Sequence, residues 1–271
     1  MKQISILGCG WLGLPLAKSL LENGFLINGS TTSPDKILAL QKVGINPFII
    51  FISESEILGN MQLFLNNSEI LIIDIPPKLR GNSSEKFVAK IQNLIPFLEK
   101  SSLKKVIFVS STSVYADDNS VVTESTIPQP ETESGKQLLE AEFLLQNNKN
   151  FQTTIVRFGG LIGDGRHPIT FLAGRKNIEN PHGPINLIHQ KDCIGIIDAI
   201  LRQAQKENWD WNETFNAVAP FHPSRKDYYT KKAIELNLEI PEFDESKPSL
   251  GKTVLSEKIE RVLGYTFQEQ P

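Results

Sequence analysis

The chain has 271 residues, 40% of them hydrophobic and 22% charged, the profile of an ordinary globular protein with enough chain for a sizeable core. Its 28 Lys and Arg against 31 Asp and Glu leave a formal net charge of −3, which excludes the basic stripe of a nucleic-acid binder. The two cysteines, Cys9 and Cys193, are too few for a disulfide framework and fit no metal-site spacing, and no run reaches the ~20 apolar residues that cross a bilayer.

The sequence enters a strand pattern at once with Ile4-Ser5-Ile6-Leu7, without a charged leader ahead of an apolar segment, so a cytoplasmic protein is expected. Leu12, Leu16, Leu20 and Leu21 follow at helical spacing, with Gly24 as the stop. Phe25-Leu26-Ile27 opens a second strand. Ser33 as N-cap and Pro34 at the first helical position predict a helix to Val43. Phe48 to Phe51 reads as a third strand. The nearly all-apolar Ile70 to Ile75 reads as a fourth, buried on both faces and ended by Pro76-Pro77. From Glu85 to Leu98 the stripe Phe87, Ile91, Ile95, Leu98 predicts an amphipathic helix, suited either to core packing or to a homodimer face. Val106 to Val109 is a fifth strand, Ser134 to Leu145 a helix and Thr153 to Val156 a sixth strand. Residues 159–184 hold six glycines and read as loop-rich. Asp192 to Gln205 reads as helix, Thr214 to Val218 as a seventh strand, and Lys226 to Leu236 and Ser256 to Leu263 as small helices.

This alternation predicts an α/β fold: a Rossmann-type doubly wound parallel sheet built of right-handed strand–helix–strand units. The expected division is residues 1–160 as a dinucleotide-binding domain and residues 161–271 as a smaller substrate-side region packed on the same sheet and adding strands to it.

The clearest chemical signal is Gly8-Cys9-Gly10-Trp11-Leu12-Gly13, placed between the first strand and the first helix. Gly8 permits the tight turn, Gly10 lets a pyrophosphate approach the backbone, and Gly13 lets helix and strand pack closely. The amides of Trp11 and Leu12 then belong to a helix N-terminus that attracts phosphate. An NAD-preferring site places an acid at the end of the second strand, about 20 residues on. Here the stretch is Ser30-Thr31-Thr32-Ser33-Pro34-Asp35-Lys36, where Thr31, Thr32, Ser33 and Lys36 suit a 2′-phosphate, favouring NADP over NAD. Pro76 and Pro77, Ser110, Phe158 and Gly159 stand at carboxyl ends of predicted strands, where a cofactor lies in this architecture. No metal site is expected.

Val106-Ile107-Phe108-Val109-Ser110-Ser111-Thr112-Ser113-Val114-Tyr115, Arg157 to Arg166, Asn186 to Asp192 and Thr214 to Ala217 together resemble segments of the extended short-chain dehydrogenase/reductases, the NAD(P)-dependent sugar-nucleotide epimerases, dehydratases and their relatives. The resemblance runs over residues 3–220 and implies a small polar or sugar-nucleotide substrate, with Ser111 orienting the reacting oxygen. It also implies a Tyr with a Lys four residues later as the acid/base pair, and this sequence departs from it there: Ser134 stands in the Tyr position and Leu138 in the Lys position. Tyr115 is either a packing residue or a substitute acid. Arg166 can bind an anionic group, His167 can act as acid or base near neutral pH, and Arg225 either faces the cleft or packs. Two readings stay open: an enzyme of the epimerase/dehydratase type with an unconventional proton donor, and a catalytically silent cofactor-binding protein.

Overall fold

A computed structural model of the chain describes residues 2–77, 86–206 and 209–271. The seven predicted sheet strands all form: β1 (Gln3–Leu7), β2 (Leu26–Thr31), β3 (Asn46–Ile49), β4 (Ser68–Ile73), β5 (Lys105–Ser111), β6 (Gln152–Phe158) and β7 (Thr214–Ala217). They join one sheet in the order β7-β6-β5-β4-β1-β2-β3. Pairing is parallel from β5 through β4, β1 and β2 to β3, with Ile6 opposite Gly29 on one side and Ile72 on the other, and Ile72 opposite Ile107. β-Branched residues fill the middle of these strands because both faces are covered, so every position must pack. The strand order reverses at β1, whose neighbours are β2 and β4. In such sheets the crevice at the carboxyl ends beside the reversal is where ligands bind.

The helices are α1 (Gly13–Glu22), α2 (Ile37–Lys42), α3 (Phe87–Lys100), α4 (Glu133–Gln146), α5 (Gln190–Gln203) and α6 (Arg225–Glu235). Glu85, where the sequence pattern starts the third helix, lies outside the described residues. Phe87 and Ile91 are wholly buried within the chain, and Phe87 stacks on Phe108 at 6.3 Å, so their side of the stripe is spent on the core and not on a partner copy.

Two local expectations are corrected. Ser33 does not cap α2: its side chain makes no cap bond, a single tight turn over Pro34–Lys36 precedes the helix, and Ser33 N–H donates to Thr31 Oγ1 (3.1 Å). The third strand ends at Ile49: Ile50 N–H makes the last bond to β2, at Thr31 O (3.1 Å), and Phe51-Ile52 then pairs antiparallel with Ile57-Leu58 instead. Within the glycine-rich residues 159–184, Gly160–Ile162 pairs in parallel with Leu187–His189 and Ile169–Leu172 forms a helical turn.

The chain forms two compact units that interleave along the sequence. The first holds Met1–Ser111, Thr132–Arg157 and Ile200–Phe215; the second holds Thr112–Glu131, Phe158–Ala199 and Asn216–Pro271. The physical reason is that β6 and β7 belong with the sheet, although the long excursion between them builds a separate core. That second core gathers Ile162, Ile169, Ile185, Leu187, Tyr228, Tyr229 and Ala233.

Each unit contains a buried carboxylate held by several hydrogen-bond donors. In the first, Arg157 holds Glu142 with Nη2–Oε2 at 2.6 Å and Nε–Oε1 at 3.1 Å, while Ser110 Oγ donates to Glu142 Oε1 (2.5 Å). In the second, Asp192 accepts from Tyr265 Oη (2.7 Å) and from the backbone N–H groups of Gln268 (2.7 Å) and Glu269 (3.2 Å), fastening the chain's last residues to α5. Removing one member of a buried ion pair strands the other. Arg157→Met is therefore expected to lower the unfolding free energy by about 3–5 kcal/mol, read by guanidinium denaturation; a loss below about 1 kcal/mol would show that Glu142 finds water instead.

Candidate functional site

The site begins where β1 runs out. Gly8 has φ +108°, and a Cβ there would stand 2.3 Å from the Asp74 carbonyl oxygen. A Cβ on Gly13 would stand 2.1 Å from the Gly8 carbonyl oxygen. Both positions therefore accept only glycine. Gly10 is the opposite case: a Cβ would meet nothing within 4 Å, so its backbone faces open space. The turn is pinned to β2 by Gly8 N–H donating to Ser30 Oγ (2.8 Å) and Cys9 N–H to Ser30 O (2.8 Å). Helix α1 then starts with no side-chain cap, which leaves its first-turn amides to the backbone turn and to whatever lies in front of them.

In front of the turn lies a cavity of about 220 Å³. Of the residues singled out in the sequence, Gly8, Gly10, Thr31, Thr32, Lys36 and Pro76 line it. Trp11, Leu12, Gly13, Ser33 and Pro77 do not: Leu12 and Gly13 are buried under the turn, and Trp11 is partly exposed beside it. The Thr31 hydroxyl is occupied as acceptor of Ser33 N–H. Lys36 is exposed, and among the described residues no carboxylate lies within ion-pair distance of it. Sequence reasoning missed, among others, Cys9, Ile50, Phe51, Asp74, Ile75 and Lys90, which also line it. Asp74 directly follows the fourth strand's apolar run, the one positional signal that could have found it. Burial, with the negative charge of Asp74 behind it, pushes the Cys9 thiol up to about 12, so Cys9 is an apolar lining group and not a nucleophile.

The other candidates fall into separate surroundings. Ser110 points inward to Glu142, whereas Ser111 is only partly buried at the end of β5. Ser134 sits in the first turn of α4, partly buried, just after the Thr132 cap whose Oγ1 accepts from Gly135 N–H (3.1 Å). Tyr115 is a buried strut: its hydroxyl donates to Asn216 Oδ1 (2.9 Å), with the Thr123 carbonyl as second acceptor at 3.2 Å. Phe158 is buried, and Gly159 is glycine because a Cβ would lie 2.6 Å from Asn186 O.

In the second unit, Arg166 is exposed on a tight reversal in which Gly163 and Arg166 exchange backbone bonds of 2.9 Å. Ile169 N–H donates to His167 Nδ1 (3.1 Å), so the proton of the neutral ring is on Nε2, which donates to Tyr228 Oη (2.9 Å). Burial, helped by the Lys232 charge, lowers the His167 pKa, and burial raises that of Tyr228. The Arg225 guanidinium lies 5.8 Å from the Tyr229 ring centroid, and its buried Nε has no hydrogen-bond partner among the described residues. Among the described residues no group of three or more His, Cys, Asp or Glu can hold a metal ion, and no helix is long and apolar enough to cross a membrane.

No protein-family model matches the chain. It is 36% identical over 270 residues to the protein YeeZ of Escherichia coli K12, covering 99% of this chain and 96% of that one. Among solved structures it is similar to a Methylobacillus flagellatus protein provisionally described as an NAD-dependent epimerase/dehydratase, at 25% identity and a TM-score of 0.78 over 98% of this chain and 93% of the other. It shares its fold with the UDP-glucuronic acid 4-epimerase of Bacillus cereus solved with NAD, at 17% identity and a TM-score of 0.80 over 99% and 92% of the two chains.

Gly13→Ala places a methyl group against a backbone oxygen that cannot swing aside, so it is expected to lower the melting temperature by several degrees; a variant that melts with the parent would mean the turn is looser than described. The neutral His167 gives a pH signature. Its folded pKa is below the unfolded value of 6.5, so its contribution to stability is complete above that pH and declines as the pH falls below it, the unfolded chain taking the proton first. His167→Asn, which keeps an acceptor at the Nδ1 position, is expected to flatten the stability curve between about pH 6.5 and 5 relative to the parent, measured by urea denaturation at each pH.

Proposed function

The chain belongs to the same family as YeeZ of Escherichia coli, and from that premise we propose that it binds a nicotinamide dinucleotide and acts in the manner of the nucleotide-sugar epimerases and dehydratases. The observation that carries this reading is the pair of glycines, Gly8 and Gly13, closed to any side chain, around a third, Gly10, open to the cavity at the strand-order reversal. The adenosine diphosphate half then lies against Gly10 and the uncapped start of α1, where amide donors and the helix dipole attract phosphate. Ile50, Phe51, Ile52, Ile75 and Pro76 offer the apolar wall that a purine needs.

The preferred cofactor in this reading is NADP. No acid ends β2 to claim a ribose 2′-hydroxyl, and Thr32 with the exposed Lys36 stands on the cavity where a 2′-phosphate would sit. The B. cereus 4-epimerase was solved with NAD, so the choice between the two is a property to be tested on this chain. The substrate proposed is a small polar molecule or nucleotide sugar. In the second unit the partnerless Nε of Arg225 suits an anionic group, and Arg166 and neutral His167 are the further polar candidates.

The acid/base chemistry is unconventional in this proposal. Bound, the dinucleotide would supply hydride transfer. Ser111 would orient the reacting oxygen and Ser134 would stand in for the phenol, although a serine hydroxyl is far less acidic and general acid–base help is worth ~10²–10⁴-fold. One observation favours the alternative, a silent cofactor-binding protein. Three of the four tyrosines spend their hydroxyls inside the second unit, Tyr115 on Asn216, Tyr228 on His167 and Tyr265 on Asp192, and the fourth, Tyr229, is buried.

Titration with NADPH and NADH, followed by tryptophan quenching and nicotinamide fluorescence, tests the proposal. Micromolar binding with NADPH tighter is expected, and Lys36→Ala is expected to cost NADPH about tenfold while sparing NADH, the size of one charge-assisted contact. Failure of both nucleotides to bind at millimolar concentration would overturn it. Tight binding with no turnover of any nucleotide sugar would favour the silent reading.

A further inference from the structure

Lys90 is out of place as a helix residue. It is the fourth residue of α3, on the stripe that carries Phe87, Ile91, Leu94 and Leu98 into the core, and it is only 7% exposed. Lysine is almost never this buried unless something compensates its charge. A positive side chain in the first turn also opposes the helix dipole. A leucine or methionine would serve the packing better, so the position calls for an account beyond packing. The cavity supplies one, because Lys90 forms part of its wall.

Among the described residues the same wall carries one acid. Asp74 follows β4 and stands against the glycine turn: its Oδ2 lies 3.1 Å from where a Gly13 Cβ would be, beside the start of α1. Its negative charge reaches Cys9 across that turn. A carboxylate there works against the helix N-terminus as a phosphate site, since it places a negative charge where a diphosphate brings two more.

We propose that Lys90 and Asp74 are opposed determinants of dinucleotide affinity, Lys90 drawing the cofactor's diphosphate into the cavity and Asp74 holding that attraction in check. The inference rests on the dinucleotide-binding reading above and adds to it two residues that no glycine motif contains. The arrangement keeps affinity moderate: the cation compensates the carboxylate when the cavity holds no anion and answers the diphosphate when it does. Both residues take part in polar or electrostatic contacts and stand on one cavity wall, so in this proposal their effects on a bound diphosphate are coupled.

The test is a double-mutant cycle on the full chain, with NADPH and ADP-ribose titrated against the parent, Lys90→Met, Asp74→Asn and the double variant, and melting temperature recorded for each. ADP-ribose isolates the diphosphate half because it lacks the nicotinamide ring. Lys90→Met is expected to weaken both ligands at least tenfold, Asp74→Asn to tighten both severalfold, and the double variant to lie between them by more than simple addition allows. Lys90→Arg keeps the charge and is expected to bind within about threefold of the parent, which keeps the test decisive if Lys90→Met fails to fold. Raising the salt concentration is expected to narrow the gap between parent and Lys90→Met. A folded Lys90→Met or Lys90→Gln binding within twofold of the parent, or an Asp74→Asn that binds more weakly, would overturn the inference while leaving dinucleotide binding intact. A parent chain that binds neither ligand would overturn the dinucleotide reading itself, and this inference with it.

Discussion

The first unit depends on backbone meeting backbone without side chains between them. The carbonyl of Gly8 sits where a Cβ of Gly13 would be, and the carbonyl of Asp74 sits where a Cβ of Gly8 would be. Three segments are thereby brought to the closest approach that polypeptide allows: the end of β1, the start of α1 and the exit from β4. The rest of the crevice follows from that approach. Because α1 begins tight against the turn, it starts without a side-chain cap directly behind Gly8 and Gly10, which line the cavity. Because β4 exits alongside, Asp74, Ile75 and Pro76 become cavity wall. Close packing also explains the neighbouring strand, where a side chain on Gly29 would run into Cys9 Sγ and Ile45 Cγ2, each 2.6 Å from its Cβ.

Away from the turn, the two units rely on buried charge held in full hydrogen bonding. Glu142 with Arg157 and Ser110 ties α4 to β5 and β6. Asp192 gathers a phenol and two backbone N–H groups from the last residues of the chain. Such groups add little net stability compared with apolar residues of the same size, but each tolerates only one arrangement of its partners. They specify where elements dock. The serine at the end of β5 accordingly divides its labour: Ser110 is committed to the interior and Ser111 is the one left partly exposed.

The sheet was legible because its signals are local. The apolar runs at residues 4–7, 70–75 and 106–109 each declare a buried strand, and glycines at positions 8, 10 and 13 between strand and helix declare the turn. Less was legible where distant residues decide. Nothing within Phe48 to Phe51 announces that the chain leaves the sheet after Ile50, because the residues that pair with it next are Ile57 and Leu58. Tyr115 reads as a candidate acid until Asn216, 101 residues away, takes its hydroxyl. Lys90 reads as one polar residue on an amphipathic helix, and only the fold brings it to a cavity begun 80 residues earlier by Gly10. The grouping of the chain into compact units is decided by distant contacts as well, since residues 200–215 return to group with residues 1–111 across the chain between them.

That return sets a timetable for making the protein. The first unit draws on residues 1–111 and is not complete until residues 200–215 have been added. At ribosomal rates of about 5–20 residues per second, its early strands wait on the order of ten seconds or more for the last one. Between the completion of β6 at residue 158 and that of β7 at residue 217, the edge of β6 that β7 will pair with stays open, an unpaired edge of the kind that invites pairing with another chain. The nascent chain is therefore most exposed to chaperones, and to misassociation on crowded polysomes, late in its synthesis.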